Sequence, residues 1–296
     1  MSTQDKVKYQ NLLTLYERFI LEGVRDGEIT PRVKEELMNL LLTLDRETIK
    51  ERLHRAKHLV EERVRAAELI GAQVLVVDAR LTYRGLFGSS GGMGESIFEV
   101  GMSWDPVLDL PIIPGSSIKG ATRAFCEDLL VSKGAGRGSA SEVCATLFGK
   151  SGEGGYVGVV AFADALPVKA GLCGGVIDAD IINPHYNALT NESLKTELDV
   201  MPVPVLHLCV CEGTVFRFLA YVPKRVDTWD EGLAKDIEEL RTRLGIKLPE
   251  SLSLPAKAIL LMSALLGGAL RVGIGARTLK GYGRFEFELC RVLTHA

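Results

Sequence analysis

The sequence predicts an α+β protein in which an antiparallel sheet is backed by helices, in the ferredoxin-like (RRM-like) arrangement with insertions. Up to residue 70 the apolar side chains recur every three or four positions, as in amphipathic helices, whereas from Gly71 onward they alternate with a period of two. The later elements follow the order β, α, several β, α, β, which suits such a sheet. We therefore expect a helical bundle or protein-contact segment at residues 1–70 and the sheet domain at residues 71–296.

The N-terminal segment is predicted to contain three helices, at Gln10–Leu21, Pro31–Leu44 and Thr48–Ile70. Thr30 is the expected N-cap of the second helix, with a proline in its first turn. The segment carries 13 basic and 13 acidic side chains, so it lacks the one-signed charge that attracts a polyanion. We expect it to contact protein, and a partner to share the apolar stripe of the third helix. That stripe comprises Ile49, Leu53, Ala56, Val60, Val64 and Ala67.

The sheet domain is predicted to begin with a strand at Gln73–Tyr83, whose second face carries Asp78 and Arg80 and is expected to be open and polar. Glu212 and Gly213 separate two β-like runs and predict a tight hairpin between them. The remaining strands are predicted at Tyr156–Ala163, Gly175–Ile182, Val203–Cys211, Thr214–Val222 and Arg284–Val292, and the later helices at Thr228–Leu244 and Pro255–Leu270.

Composition excludes several classes of protein. The chain has 296 residues, 47% of them hydrophobic and 25% charged, which is typical of a globular protein and excludes a disordered or fibrous one. The most apolar run, Ala258–Leu270, is shorter than the ~20 residues that a bilayer requires, and is expected to be a buried helix. The first residues do not resemble an export signal, so we expect a cytoplasmic protein. With a net charge of −3, any polyanion site must be local.

No cofactor or metal is expected. The six cysteines contain no CxxC pair and are expected to be reduced, with neither a disulfide framework nor a zinc ribbon. A half-buried strand face explains the alternation of His207, Cys209 and Cys211 better than a metal site does. The segment ending in Gly149 and Lys150 lacks the first glycine of a phosphate-binding loop.

The first candidate binding segment is IPGSSIKGATR, in which Pro114 and Gly115 precede a helix. The hydroxyls of Ser116 and Ser117, one of which is expected to cap the helix, and the free amides of its first turn would form an anion site. Lys119 and Arg123 lie four residues apart on the same side. The alternative is a capped surface helix in which Arg123 pairs with Glu127.

The second candidate binding segment is the loop Gly273–Arg284, with the sequence GIGARTLKGYGR. Together with the preceding Arg271 it contains four basic residues, Arg271, Arg277, Lys280 and Arg284, and no acidic residue. Glycines allow a backbone to approach a phosphate chain, and Tyr282 is expected to stack on a base. Basic residues interleaved with glycine and an aromatic indicate a groove for nucleic acid. Arg137, in the short segment GAGRG, is a further candidate.

A divalent-metal nuclease is the alternative that the residues leave open. Asp178 and Asp180 share a strand face, and His185 is a candidate general acid or base. Carboxylates without a supporting cluster are more often solvated or capping, so this alternative is less favoured.

Three segments together resemble the RAMP superfamily of CRISPR RNA-binding proteins: IPGSSIKGATR, GIGARTLKGYGR, and LFGKSGEGGYVGVVAFADALP. Within that superfamily, VIDADIINPHY followed by PVPV is most similar to the sixth-subunit family of the type III-B (Cmr) effector complex. The likeness covers approximately Gln73–Arg291 and does not extend to the first 70 residues.

The resemblance implies a noncatalytic subunit that caps the backbone filament near the 3′ end of the guide RNA and contacts the target RNA. Its partners would be guide and target RNA and other RAMP subunits, with no membrane. In such complexes a different subunit cuts the target, with an aspartate in the loop after its first strand. The corresponding loop here, Gly85–Trp104, contains Glu95 and Glu99 but no aspartate. The alternative is an endoribonuclease of the same superfamily that processes or cleaves RNA.

Overall fold

The computed structural model describes residues 11–26, 30–89, 91–182, 204–224 and 231–294. Seven α-helices are defined in these ranges: α1 Leu12–Asp26, α2 Pro31–Leu69, α3 Glu95–Phe98, α4 Gly115–Ser132, α5 Arg137–Phe148, α6 Glu231–Leu244 and α7 Leu254–Val272. The strands are β1 Gln73–Leu81, β2 Trp104–Asp105, β3 Leu110–Pro111, β4 Gly149–Lys150, β5 Tyr156–Val157, β6 Ala161–Phe162, β7 Leu166–Lys169, β8 Ile177–Ile182, β9 Val205–Val210, β10 Val215–Val222 and β11 Phe285–Leu293.

The central sheet is antiparallel and has the order β11, β1, β10, with both β6 and β7 pairing with the far side of β10. Strands β8 and β9 form a separate hairpin. Helices α4 and α7 pack against each other, and α7 contacts β1, β10 and β11. The prediction of an antiparallel sheet backed by helices is thus confirmed.

Both faces of β1 are covered along most of the strand, because its two sides meet different helices. Leu75 and Val77 are buried in the main core with residues of α7. On the other face, Val74 and Val76 pack against Ala67 near the end of α2. Further along that face the side chains are paired: Arg217 Nε donates to Asp78 at 2.6 Å, and Arg80 forms ion pairs with Glu286 and Glu288. The polar face expected to be open is therefore covered as far as Asp78, which is buried, and is open at Arg80, which is exposed.

The N-terminal segment packs on the sheet domain. Instead of two helices divided near residue 45, the structure has one helix, α2, with Thr30 as its N-cap. Most of the apolar stripe is buried within this chain, including Ile49, Ala56 and Val60, so the expectation that a partner shares it is wrong. The division of the chain at residue 71 stays a prediction, although α2 and the sheet contribute to one continuous core.

The hairpin predicted at Glu212–Gly213 is also wrong. Strand β9 pairs with β8, while β10 pairs with β1. The turn instead passes the chain from the β8–β9 hairpin to the central sheet, and Gly213 N donates to Leu81 O at 3.0 Å. A tight turn between two β-like runs therefore joins strands that do not pair.

Two cysteine pairs correct the expectation of reduced cysteines. Cys126 is bonded to Cys144, which joins α4 to α5, and Cys173 is bonded to Cys211 beside the start of β8. Both pairs join cysteines far apart in sequence, so the absence of a CxxC spacing could not reveal them. Cys209 and Cys290 are free.

Judged by length and composition alone, helix α7 could cross a membrane. Half of its most apolar 18-residue stretch is, however, buried inside the protein. The residues Ala258, Ile259, Leu265 and Leu266 are all buried in the main core. The prediction that this apolar run forms a buried helix is confirmed.

Candidate nucleic-acid interface

The glycine-rich loop Gly273–Arg284 is fixed against the segment that follows β1. Ala276 N donates to Leu86 O, and Gly283 N donates to Arg84 O, each at 2.9 Å. Within the loop, Ile274 N donates to Gly283 O at 2.9 Å. The loop therefore holds its side chains on a defined backbone, which limits the entropy lost when a ligand binds.

Two of its glycines are required by this packing. Gly275 and Gly283 have φ angles of 96° and 63°, which side-chain-bearing residues rarely adopt. A Cβ at Gly283 would overlap the carbonyl oxygen of Ile274, and one at Gly275 would crowd Leu86 O. These glycines are thus explained by close approach within the protein, rather than by the approach of a phosphate chain that the sequence suggested.

The four basic residues of this region form no ion pair within the described part of the chain. Arg271, Lys280 and Arg284 are exposed, and Arg277 is half-buried. The Arg271 guanidinium lies 5.6 Å from the Phe287 ring centroid and that of Arg277 lies 5.0 Å from the Tyr282 ring. Because no carboxylate neutralises these side chains, the loop presents positive charge that can hold phosphate groups.

Tyr282 does not have the role expected from the sequence. Its side chain is only 3% exposed, so no base can stack on it in this conformation. The hydroxyl donates a hydrogen bond to Asp180 on β8, and Arg277 Nη1 donates to the same hydroxyl at 3.4 Å. Tyr282 is therefore a positioning residue that attaches the loop to the β8–β9 hairpin.

Two residues that sequence reasoning missed, Tyr83 and Arg84, lie beside this tyrosine. The rings of Tyr83 and Tyr282 meet edge to face, with centroids 5.4 Å apart. Arg84 forms ion pairs with Asp178 at 3.6 Å and with Asp180 at 3.5 Å. The signal for them was the TYRG sequence directly after β1, where an aromatic and a basic residue precede a glycine-rich stretch.

Two residues of β9, His207 and Cys209, lie opposite Asp180 and Asp178 respectively in the register of the β8–β9 hairpin. His207 is fully buried; its Nδ1 lies 2.9 Å from Leu208 O and its Nε2 has no partner. Burial lowers the pKa of His207, since the charged imidazolium is poorly solvated there. Burial likewise raises the pKa of the Cys209 thiol. Both side chains are therefore held in their neutral forms.

The first candidate segment begins its helix differently from the prediction. The N-cap of α4 is Pro114, and neither Ser116 nor Ser117 makes a side-chain cap. Instead, the Asp164 carboxylate accepts a hydrogen bond from Gly115 N at 2.7 Å. The protein's own carboxylate thus takes a position that an external anion was expected to fill. The two serine side chains are exposed.

The basic residues near that segment differ in their availability. Arg123 donates to Glu127, to Gly149 O at 3.0 Å and to Ser141 Oγ at 3.0 Å, so its guanidinium is used inside the protein, and the alternative of an Arg123–Glu127 pair is confirmed. Lys119 is half-buried on α4, and Arg137 is exposed at the start of α5.

The structure does not join the two candidate segments into one groove. The start of α4 lies against Phe162 and Asp164, on the β6 side of the sheet. The glycine-rich loop lies against Arg84 and Leu86 and leads into β11 at the opposite edge. The loop, with its unpaired basic side chains, is therefore the better supported of the two surfaces.

The nuclease alternative lacks a suitable arrangement in the described ranges. Asp178 and Asp180 are ion-paired to Arg84, and a guanidinium beside two carboxylates opposes the binding of a cation there. Among the described residues there is no group of three or more His, Cys, Asp or Glu side chains that could hold a metal ion. His185 lies outside the described residues.

The loop Gly85–Trp104 is folded against the N-terminal helices. Its short helix α3 is attached to α1, because Ile97 N donates to the Tyr16 hydroxyl at 3.3 Å. Glu99 forms an ion pair with Lys34 of α2 at 3.3 Å. Glu95 is exposed. This loop therefore contacts α1 and α2 in addition to following β1.

Comparison with known proteins assigns the chain to a family. The family model of the RAMP superfamily matches residues 70–286. The chain belongs to the RAMP superfamily. The match covers β1 to β10, both candidate segments and the Tyr83–Arg84 pair. It begins where α2 ends and stops at the start of β11.

Individual RAMP proteins are similar to the whole chain. The CRISPR system CMR subunit Cmr6 of Saccharolobus solfataricus is 28% identical over 305 aligned positions, covering 99% of this chain and 86% of that protein. Among solved structures, the cryo-EM structure of the type III-B Cmr-beta bound to cognate target RNA contains a similar chain. That chain is 27% identical with a TM-score of 0.61, over 89% of this chain and 74% of the other. The crystal structure of Cmr6 from Pyrococcus furiosus matches at 18% identity and a TM-score of 0.38, over 74% and 99% of the respective chains.

Proposed function

We propose that this chain is a noncatalytic RNA-binding subunit of a type III-B CRISPR effector complex. In this role it caps the backbone near the 3′ end of the guide RNA and contacts the target RNA. The observation that carries the proposal is the rigid glycine-rich loop with its unpaired basic residues, Arg271, Arg277, Lys280 and Arg284. Similarity to Cmr6 over 99% of the chain supports its assignment to a Cmr complex.

The proposed partners are guide RNA, target RNA and the other RAMP subunits of the complex. The solved complex that contains a similar chain is bound to cognate target RNA, which supports an RNA-contacting role. We place the complex in the cytoplasm, without a membrane partner, and assign the chain no cofactor.

We also propose that the sheet is ferredoxin-like in the strict sense. In that fold the last strand lies beside the first, the first beside the third, and the second at the far edge, with all neighbours antiparallel. Strands β11, β1 and β10 follow that order, with β6 and β7 together in the position of the second strand. Helix α4 after β1 and helix α7 before β11 are the two crossovers.

The RNA-binding role is tested by removing two charges from the loop. In the double variant Arg277→Ala, Lys280→Ala, two lost phosphate contacts should lower the slope of log affinity against log salt by about 1.4 for single-stranded RNA. The matched control is Arg55→Ala, Lys57→Ala, which removes two exposed positive charges from α2. Equal slopes for the loop variant, the control and the unaltered protein would contradict the proposal.

The noncatalytic role is tested by incubating the full chain with labelled RNA, with and without a divalent cation. We expect no cleavage, because Asp178 and Asp180 are engaged by Arg84 and Tyr282. Metal-dependent cleavage that disappears in Asp178→Ala or His185→Ala would favour the endoribonuclease alternative instead.

The capping position is tested in the assembled complex. A photoreactive nucleotide is placed either near the 3′ end or near the 5′ end of the guide RNA, and the crosslinked subunit is identified. We expect this chain to crosslink from the 3′ position. Crosslinking from the 5′ position alone would refute the capping role while leaving RNA binding intact.

A further inference from the structure

Of the two tyrosines beside the glycine-rich loop, only one offers its ring to the solvent. Tyr282 is 3% exposed, whereas Tyr83 is 36% exposed. Stacking requires an aromatic face that a base can reach, and each such contact stabilises a single-stranded complex substantially. The accessible aromatic at this surface is therefore Tyr83.

The ring of Tyr83 is held in place by its neighbours. Thr82 N donates to Arg284 O at 3.0 Å, which fixes the backbone just before the tyrosine. Arg84 Nη1 donates to the Tyr83 hydroxyl at 3.1 Å, and the Arg84 guanidinium lies 5.5 Å from the Tyr83 ring centroid. An aromatic side chain that is already ordered loses little entropy when a base stacks on it.

Arg84 is in turn oriented by the two aspartates of β8. Its ion pairs with Asp178 and Asp180 offset one of their two negative charges, which reduces their repulsion of a phosphate chain at this point. The Tyr282 hydroxyl also donates to Asp180. The same carboxylate therefore positions Arg84 beside Tyr83 and attaches the glycine-rich loop.

The loop brings its charges directly alongside the exposed ring. A Cβ at Gly281 would lie 4.0 Å from Tyr83 Cδ1, so the loop backbone passes next to the tyrosine. Lys280 and Arg284, on either side of this stretch, are exposed and without ion pairs in the described ranges. A phosphate chain held by these cations would bring its bases to the Tyr83 ring.

We propose that Tyr83 stacks on a base of single-stranded RNA whose flanking phosphates are held by Lys280 and Arg284, and that Asp178 and Asp180 position Arg84 beside this ring. This inference rests on the proposed RNA-binding function and names the aromatic contact of that site. It assigns the stacking role to Tyr83 in place of Tyr282.

The test compares a short unstructured RNA with an abasic oligonucleotide of the same length, each titrated against the full chain. Tyr83→Leu should weaken binding to the RNA about 10-fold, as expected for one stacked base, and should leave binding to the abasic strand unchanged. The salt slope should not change, because no phosphate contact is lost. The matched control is Tyr156→Leu, at a half-exposed tyrosine on the β4–β5 hairpin, which should bind RNA as the unaltered protein does.

A second variant keeps the test decisive if Tyr83→Leu fails to fold. Tyr83→Trp retains a stacking ring, and its fluorescence should be quenched by the RNA but not by the abasic strand. Unquenched fluorescence together with RNA binding, or unaltered RNA affinity in Tyr83→Leu, would overturn the inference. In that case the loss of salt slope in Arg277→Ala, Lys280→Ala would still support the proposed function, whereas a full chain that binds no RNA would refute both.

Discussion

Asp45 and Arg52 form an ion pair in the interior of the molecule, about two turns apart on α2. Arg52 also donates to Asp109 O at 2.6 Å. The Asp45 carboxylate accepts hydrogen bonds from Val176 N at 2.7 Å and Ile177 N at 3.1 Å. This pair therefore joins α2 to Asp109, the residue before β3, and to the start of β8.

Replacing Arg52 with methionine is expected to destabilise the protein by about 3 to 5 kcal/mol, because it leaves a buried carboxylate without its counter-charge. The free energy of unfolding in urea measures the effect. Arg55→Met, at an exposed arginine on the same helix, is the control and should have little effect. Equal stability of the two variants would show that the buried pair contributes nothing specific.

Most helix and strand positions could be predicted from local sequence patterns, whereas the continuity of α2 through residue 45 and the contacts between distant segments could not. The change of period at Gly71 correctly located the boundary between α2 and β1, and Thr30 correctly marked the start of α2. The sequence contains no local signal that Asp45 and Arg52 would be buried, because each lies among the charged residues of an amphipathic helix. Their burial depends on Asp109 and β8, which are distant in sequence.

The same limit applies to the candidate site. The basic glycine-rich loop was recognisable because its charge and glycine content are local properties. The burial of Tyr282 was not, since it depends on Asp180 of β8 and Tyr83 after β1. Likewise, Asp164 replaced the expected serine cap at α4 through a contact between segments far apart in the chain.

The conformation of the glycine-rich loop can be tested at Gly283. Gly283→Ala places a Cβ against the carbonyl oxygen of Ile274 at a φ of 63°. The variant should lose more than about 1 kcal/mol of stability and should bind RNA more weakly. Thermal unfolding and RNA titration measure the two effects.

The control is Gly120→Ala, which adds a Cβ on α4 where nothing lies within 4 Å, and which should stabilise the protein slightly. A thermal stability unchanged in Gly283→Ala would contradict the close packing of the loop.

His207 should make stability depend on pH. Burial lowers its pKa in the folded protein, so the unfolded chain, with a histidine pKa of about 6.5, binds the proton more readily. The stabilising contribution is therefore complete above that pH and is lost as the pH falls toward the folded pKa. Between pH values of about 7.5 and 5.5, the free energy of unfolding should fall less in His207→Asn than in the unaltered protein.

The control is His58→Gln, at an exposed histidine of α2. Its free energy of unfolding should depend on pH as that of the unaltered protein does. The same pH dependence in His207→Asn as in the unaltered protein would exclude this role.

Removing residues 1–70 should abolish cooperative folding. The truncated chain would expose Val74 and Val76, which Ala67 covers, and would leave Asp109 without Arg52. A sheet face without its helix loses the apolar burial that stabilises it and tends to associate. Urea unfolding followed by circular dichroism should show a broad transition, and the truncated chain should bind hydrophobic dyes.

The control for this deletion keeps α2 and alters only its outer surface. Arg55→Ala, Lys57→Ala should unfold with the midpoint of the unaltered protein, because both side chains are exposed. If the truncated chain instead unfolds cooperatively with an unchanged midpoint, residues 71–296 form an independent unit and α2 is an appended segment. Its RNA affinity would then measure directly whether the glycine-rich loop binds without the N-terminal helices. If the truncated chain does not fold, α2 belongs to the core on which that loop is positioned.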